Sequence, residues 1–122
     1  MDFSPEGGRL CSVSLRTTPR ATILYSAYAP SRSPVSEEYD HSRKENFWEM
    51  LSSELPVGHR EKIVIVAGEM NARIRQEQGD MKGIIGPCVF RRLDVEDAEA
   101  KTNAQYMMEL CQDRRMRAEN TY

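Results

Sequence analysis

A chain of 122 residues and 14.0 kDa allows one domain with a modest core, and 30% charged residues with a mean hydropathy of -0.64 place it at the soluble end of globular proteins. A formal net charge of -2 lacks the basic excess of a dedicated nucleic-acid-binding domain. Cys11, Cys88 and Cys111 form neither a Cys-x-x-Cys zinc pattern nor an even disulfide framework, and no apolar run approaches a membrane span, so reduced thiols in an intracellular protein, nuclear or cytoplasmic, are expected.

Residues 1–8, with Pro5, Gly7 and Gly8, read as a flexible terminus, and one domain is expected over 9–122. Residues 9–16 alternate, with Cys11, Val13 and Leu15 on one face, which predicts a half-buried strand. Thr17-Thr18-Pro19-Arg20 supplies a turn, and residues 21–28 form the antiparallel partner, ending at Tyr28. A Pro/Ser loop follows, with Ser33 as the expected helix N-cap and Pro34 at the first helical position. The helix runs to about residue 55 on an apolar stripe of Phe47, Trp48, Leu51 and Leu55, with Tyr39 two turns earlier. Phe47 and Trp48 lie on that stripe, so they are core residues and not a base-stacking platform.

Residues 63–67 are β-branched, short and without alternation, which predicts a central strand covered on both faces and completes a β-α-β crossover. Beyond residue 72 the stretch to about 100, punctuated by Gly79, Gly83, Gly86 and Pro87, reads as a long irregular connection. Thr102 and Gln105 form a capping box for a second helix, with Ala104, Met107, Met108 and Cys111 inward, and weak strand character resumes from Met116. Arg91-Arg92 and Arg114-Arg115-Arg117 could track phosphates, but neighbouring acids and a helix C-terminus make solvated faces the simpler reading.

The chemistry concentrates where the aliphatic run stops, at Gly68-Glu69-Met70-Asn71. Glu69 and Asn71, two apart on an extended chain, would share one side at the carboxyl end of a strand, where open α/β sheets bind ligands. A carboxylate there can hold a hard cation or accept a proton from water, and a carboxamide can donate to a phosphate oxygen. The plain alternative is a strand-to-loop junction whose Glu and Asn satisfy the turn backbone. No Gly-x-Gly-x-x-Gly follows a strand, which removes dinucleotide binding.

Gly68-Glu69-Met70-Asn71-Ala72 resembles the Gly-Asp-Phe-Asn-Ala signature of the endonuclease/exonuclease/phosphatase superfamily. Tyr28-Ala29-Pro30 resembles its strand-ending Tyr-Ala-Pro, Ile85-Gly86-Pro87 and Asn103-Ala104 its loop and following helix, and Asn120-Thr121-Tyr122 its next strand, in colinear order. The nearest flavour is the retrotransposon-type endonuclease carried by craniofacial development protein 2-like sequences. The resemblance implies an α/β fold, part of a two-sheet sandwich without its N- and C-terminal parts. It assigns Tyr28, Glu69 and Asn71 to catalysis, Asn71 and Arg73 to substrate contact, Glu69 to the metal, and DNA or RNA as partner, with Mg²⁺ or Mn²⁺ as cofactor if active.

The sequence departs from that pattern at Glu69 (usually Asp), Met70 (usually aromatic), Arg75 and Ala104 (usually Gly). The family's early Asn strand and metal-binding Gln-Glu segment, and its late Asp-His pair, are absent from their places, and His41 and His59 fall where neither can replace the late His. Two expectations follow: a metal-dependent phosphodiesterase remnant that does not turn over alone, or a non-catalytic scaffold derived from a retroelement endonuclease. An uncovered sheet face would invite self-association or a protein partner.

Overall fold

The computed structural model describes residues 2–3, 8–58, 61–74, 83–86 and 101–119. The elements, in order, are β1 (Asp2–Phe3), β2 (Leu10–Leu15), β3 (Ala21–Tyr28), α1 (Glu37–Glu54), β4 (Lys62–Glu69) and α2 (Asn103–Arg114). They form one mixed sheet, ordered β1-β2-β3-β4, with β2 antiparallel to β3 and β4 parallel to β3. The hairpin and the β-α-β unit therefore stand as the alternation and the apolar stripe predict, and the fold class is α/β. Most of 75–100, the terminal stretches 4–7 and 120–122, and with them His59, Arg75, Cys88 and Arg91-Arg92, lie outside the described residues.

The helices cover one face of the sheet. Tyr25 and Ala27 of β3 and Leu10 of β2 pack with Phe47, Trp48, Leu51 and Leu55 in a single buried cluster, with Val64 and Val66 of β4 half-buried against it. The Phe47 and Trp48 rings meet edge-on at 5.2 Å, and Trp48 stacks on Tyr106 of α2 at 6.5 Å. Tyr25 extends through this layer to donate its hydroxyl to the Glu54 carbonyl at 2.8 Å, tying β3 to the end of α1. Tyr39 does not join the stripe; it is 49% exposed, with Arg43 over its ring.

Two expectations about the strands need correction. Among the described residues β4 ends the sheet order and is not a central strand, and Ile63 and Ile65 are 42% and 45% exposed. Its uniform β-branched run masks a real alternation, because Val64 and Val66 face the helices while Ile63 and Ile65 face away. The second correction is the direction of β2. Its apolar residues Val13 and Leu15 are 39% and 43% exposed, and it is Leu10, Ser12 and Ser14 that share a face with Tyr25 and Ala27. Among the described residues no element covers the face opposite the helices, where Val13, Leu15, Ile63 and Ile65 are exposed and Tyr28, Arg9 and Glu69 stand at one end.

Caps explain the helix bounds. Ser36, not Ser33, is the N-cap of α1, accepting from the Tyr39 N–H at 3.1 Å. Ser33 instead donates its own N–H to Asp40 Oδ1 at 2.6 Å and accepts from Val35, holding the loop against the first turn. Burial alone would raise the Asp40 carboxyl, but Lys44 at 2.6 Å and the Ser33 N–H hold it below the ordinary carboxylate range. At α2 the capping box is complete: Thr102 accepts from Gln105 N–H, and Gln105 Oε1 accepts from Thr102 N–H at 2.7 Å. Thr102→Ala is expected to lower stability by about 1 kcal/mol, measured by urea unfolding, with Thr102→Ser close to wild type.

Arg114 is more than a solvated cation. Its guanidinium donates to the carbonyls of Ser52 (2.7 Å), Leu55 and Pro56 (both 3.3 Å), closing the C-terminal end of α1. Among the described residues no helix is long and apolar enough to cross a membrane.

Candidate functional site

The parallel register brings the carboxyl ends of β3 and β4 together and sets Tyr28 opposite Glu69, so both side chains leave the sheet on the face away from the helices. The ladder continues one residue further, with Ala29 N–H donating to the Glu69 carbonyl at 2.9 Å. Tyr28 is 51% exposed, and the Arg9 guanidinium lies 5.2 Å from its ring centroid.

Gly68 permits this close junction. It sits at φ +138°, and a Cβ placed on it would lie 1.9 Å from the Ala27 carbonyl oxygen of β3. The glycine is required by approach of backbone to backbone.

Asn71 is not extended as expected. Its φ is 45°, in the left-handed region that Asn tolerates better than most residues, so the chain turns sharply two residues past Glu69. Glu69 Oε1 accepts the Asn71 N–H at 2.8 Å, and Asn71 Nδ2 donates to the Ala29 carbonyl at 2.7 Å. The acid fastens the turn and the amide binds that turn to the end of β3. Tyr28, Glu69 and Asn71 are therefore gathered at one sheet end, but Glu69 and Asn71 serve the backbone in the manner of the plain alternative. Arg73 is exposed on the outgoing segment.

Behind the turn lies a residue whose role is hidden in the sequence. Asn103, 3% exposed at the start of α2, accepts from the Trp48 indole N–H at 2.9 Å. Its Nδ2 donates to the carbonyls of Pro30 (2.8 Å) and Asn71 (3.3 Å). One amide thus joins both helices to the two loops that leave β3 and β4. Its partners lie 32 to 73 positions away, so no local pattern announces them.

Among the described residues Glu69 is the one carboxylate at this strand end, and its Oε1 accepts the Asn71 N–H. Among the described residues, no group of three or more His, Cys, Asp or Glu could hold a metal ion. The described residues supply one such carboxylate, whereas Mg²⁺ or Mn²⁺ takes several oxygen ligands in near-octahedral array. His41 is on α1, its Nε2 3.8 Å from Glu45, and not at this site.

No family model matches the chain, and neither a curated protein nor a solved structure matches it.

Proposed function

We propose that this chain carries the phosphate-facing part of a divalent-metal-dependent nucleic-acid phosphodiesterase domain of the endonuclease/exonuclease/phosphatase type, and that it does not cleave on its own. The observation that supports this reading is the convergence of Tyr28, Glu69 and Asn71 at the carboxyl end of a parallel strand pair, beside a glycine that a side chain could not replace. The order of these residues, their strand-end placement and the β-α-β unit between them agree with the resemblance in the sequence. The absence of turnover is supported by the single carboxylate that the described residues place at this strand end, Glu69, one oxygen of which accepts the Asn71 N–H, and by the lack of counterparts to the metal-binding Glu and late Asp-His pair that the resemblance would require.

A second reading is a non-catalytic interaction module, favoured by the open apolar sheet face around Val13, Leu15, Ile63 and Ile65. One assay separates turnover from its absence. Purified chain is incubated with supercoiled and abasic-site DNA in Mg²⁺ or Mn²⁺, with a chelator control. The expected result is no metal-dependent nicking, including by Glu69→Asp. Nicking that requires metal and disappears in Asn71→Ala would instead establish an active enzyme.

A further inference from the structure

We infer that Asn103 is a positioning residue for the strand-end site, holding the loops after β3 and β4 at the spacing in which Tyr28, Glu69 and Asn71 converge; the inference rests on the phosphodiesterase reading for what binds there. At 3% exposure Asn103 touches no nucleic acid itself. It acts on backbone instead. Its Nδ2 carries two hydrogens and has two carbonyl acceptors, Pro30 at 2.8 Å and Asn71 at 3.3 Å, while its Oδ1 takes the Trp48 indole N–H at 2.9 Å.

The turn it steadies is one a chain does not hold unaided. Asn71 sits at φ 45°, kept there by Glu69 on its N–H, by the Ala29 carbonyl on its side chain and by Asn103 on its carbonyl. The Glu69 bond lies in the open, where water competes for it. The Asn103 amide is fastened in the core, because its bonds to Trp48 and Pro30 are both buried and water cannot replace them. Without that amide the Asn71 turn relaxes and Glu69 loses its N–H partner. A bare carboxylate beside Tyr28 then meets an incoming phosphate and repels it, so binding weakens.

Two variants separate the loop bonds from helix packing. Asn103→Asp keeps an acceptor for the Trp48 indole but turns an oxygen toward the Pro30 and Asn71 carbonyls, whereas Trp48→Phe removes the indole bond and leaves both loop bonds in place. Binding of a fluorescein-labelled abasic-site duplex is followed by anisotropy at low salt, beside urea unfolding of the same samples. Sucrose in the binding buffer favours the folded chain, which circular dichroism checks. If Asn103→Asp is unfolded even so, Asn103→Ser, uncharged and too short to keep all three bonds, takes its place under the same criteria. Trp48→Phe is expected to lower the unfolding midpoint yet bind within about threefold of wild type, and Asn103→Asp to bind at least about tenfold more weakly, a split that a merely structural role does not produce. Wild-type affinity in the Asn103 variant, or a loss in Trp48→Phe as large as its own, overturns the inference and leaves the phosphodiesterase reading standing. A wild-type chain that does not bind the duplex overturns both.

Discussion

Gly68→Ala is expected to be the most damaging single substitution in the described structure, lowering stability by about 4 kcal/mol. Two penalties act at once. The added Cβ meets the Ala27 carbonyl oxygen at 1.9 Å, and backbone cannot swing aside as a flexible side chain could. The φ of +138° is in addition a conformation that an L side chain rarely adopts, costing a further ~1–3 kcal/mol. Relief requires β3 and β4 to part at their carboxyl ends, which separates Tyr28 from Glu69. For a small domain, a loss of that size is a large share of the total. Gly58→Ala is the control. Gly58 has φ +88° but nothing within 4 Å of an added Cβ, so only the conformational cost of ~1–2 kcal/mol applies. Urea unfolding followed by circular dichroism checks both. Equal effects at the two positions would show that β3 and β4 do not approach as described.

Asn103→Leu should cost about 3 kcal/mol, although it exchanges a polar group for an apolar one in a buried place. The substitution removes the acceptor of the Trp48 indole N–H and the donor to the Pro30 and Asn71 carbonyls, leaving buried groups without their partners. Asn103→Asp retains the acceptor for Trp48 but presents a carboxylate to two carbonyl oxygens, so it should be no better tolerated. Trp48 is the only tryptophan in the chain. Its emission therefore reports the loss directly, as a changed spectrum at low denaturant and a lowered unfolding midpoint. A neutral effect of Asn103→Leu would mean that the amide is a passenger and that the loops after β3 and β4 are held elsewhere.

Those two residues also mark the limit of what local pattern conveys. The hairpin, the crossover helix and the Thr102 cap follow from period, turn chemistry and capping geometry over a few residues, and the structure has them. The covering of each sheet face does not follow from period alone. Cys11, Val13 and Leu15 alternate correctly for a half-buried strand, but alternation cannot say which face the helices choose, and they choose the face of Tyr25 and Ala27. Residues 63–67 look centrally buried because both faces of β4 are apolar, one for the helices and one open. At the site, the sequence places Glu69 and Asn71 correctly at a strand end, yet a dihedral of 45° at Asn71 redirects the amide to Ala29 and gives the acid a backbone partner. Arg114 carries the same lesson, since its helix-end position is legible while the α1 carbonyls it closes are 58 to 62 residues distant.

The claim on which the functional reading rests is that the joined ends of β3 and β4 face nucleic-acid phosphate. Backbone amide shifts recorded while a short abasic-site DNA duplex is titrated into the isotope-labelled chain at low salt test it most directly. Binding is expected to move the amides of Tyr28, Glu69, Asn71 and Arg73 first and to weaken as salt is raised. Shifts confined to the Arg114–Arg117 end of α2, or no shifts at all, would contradict it.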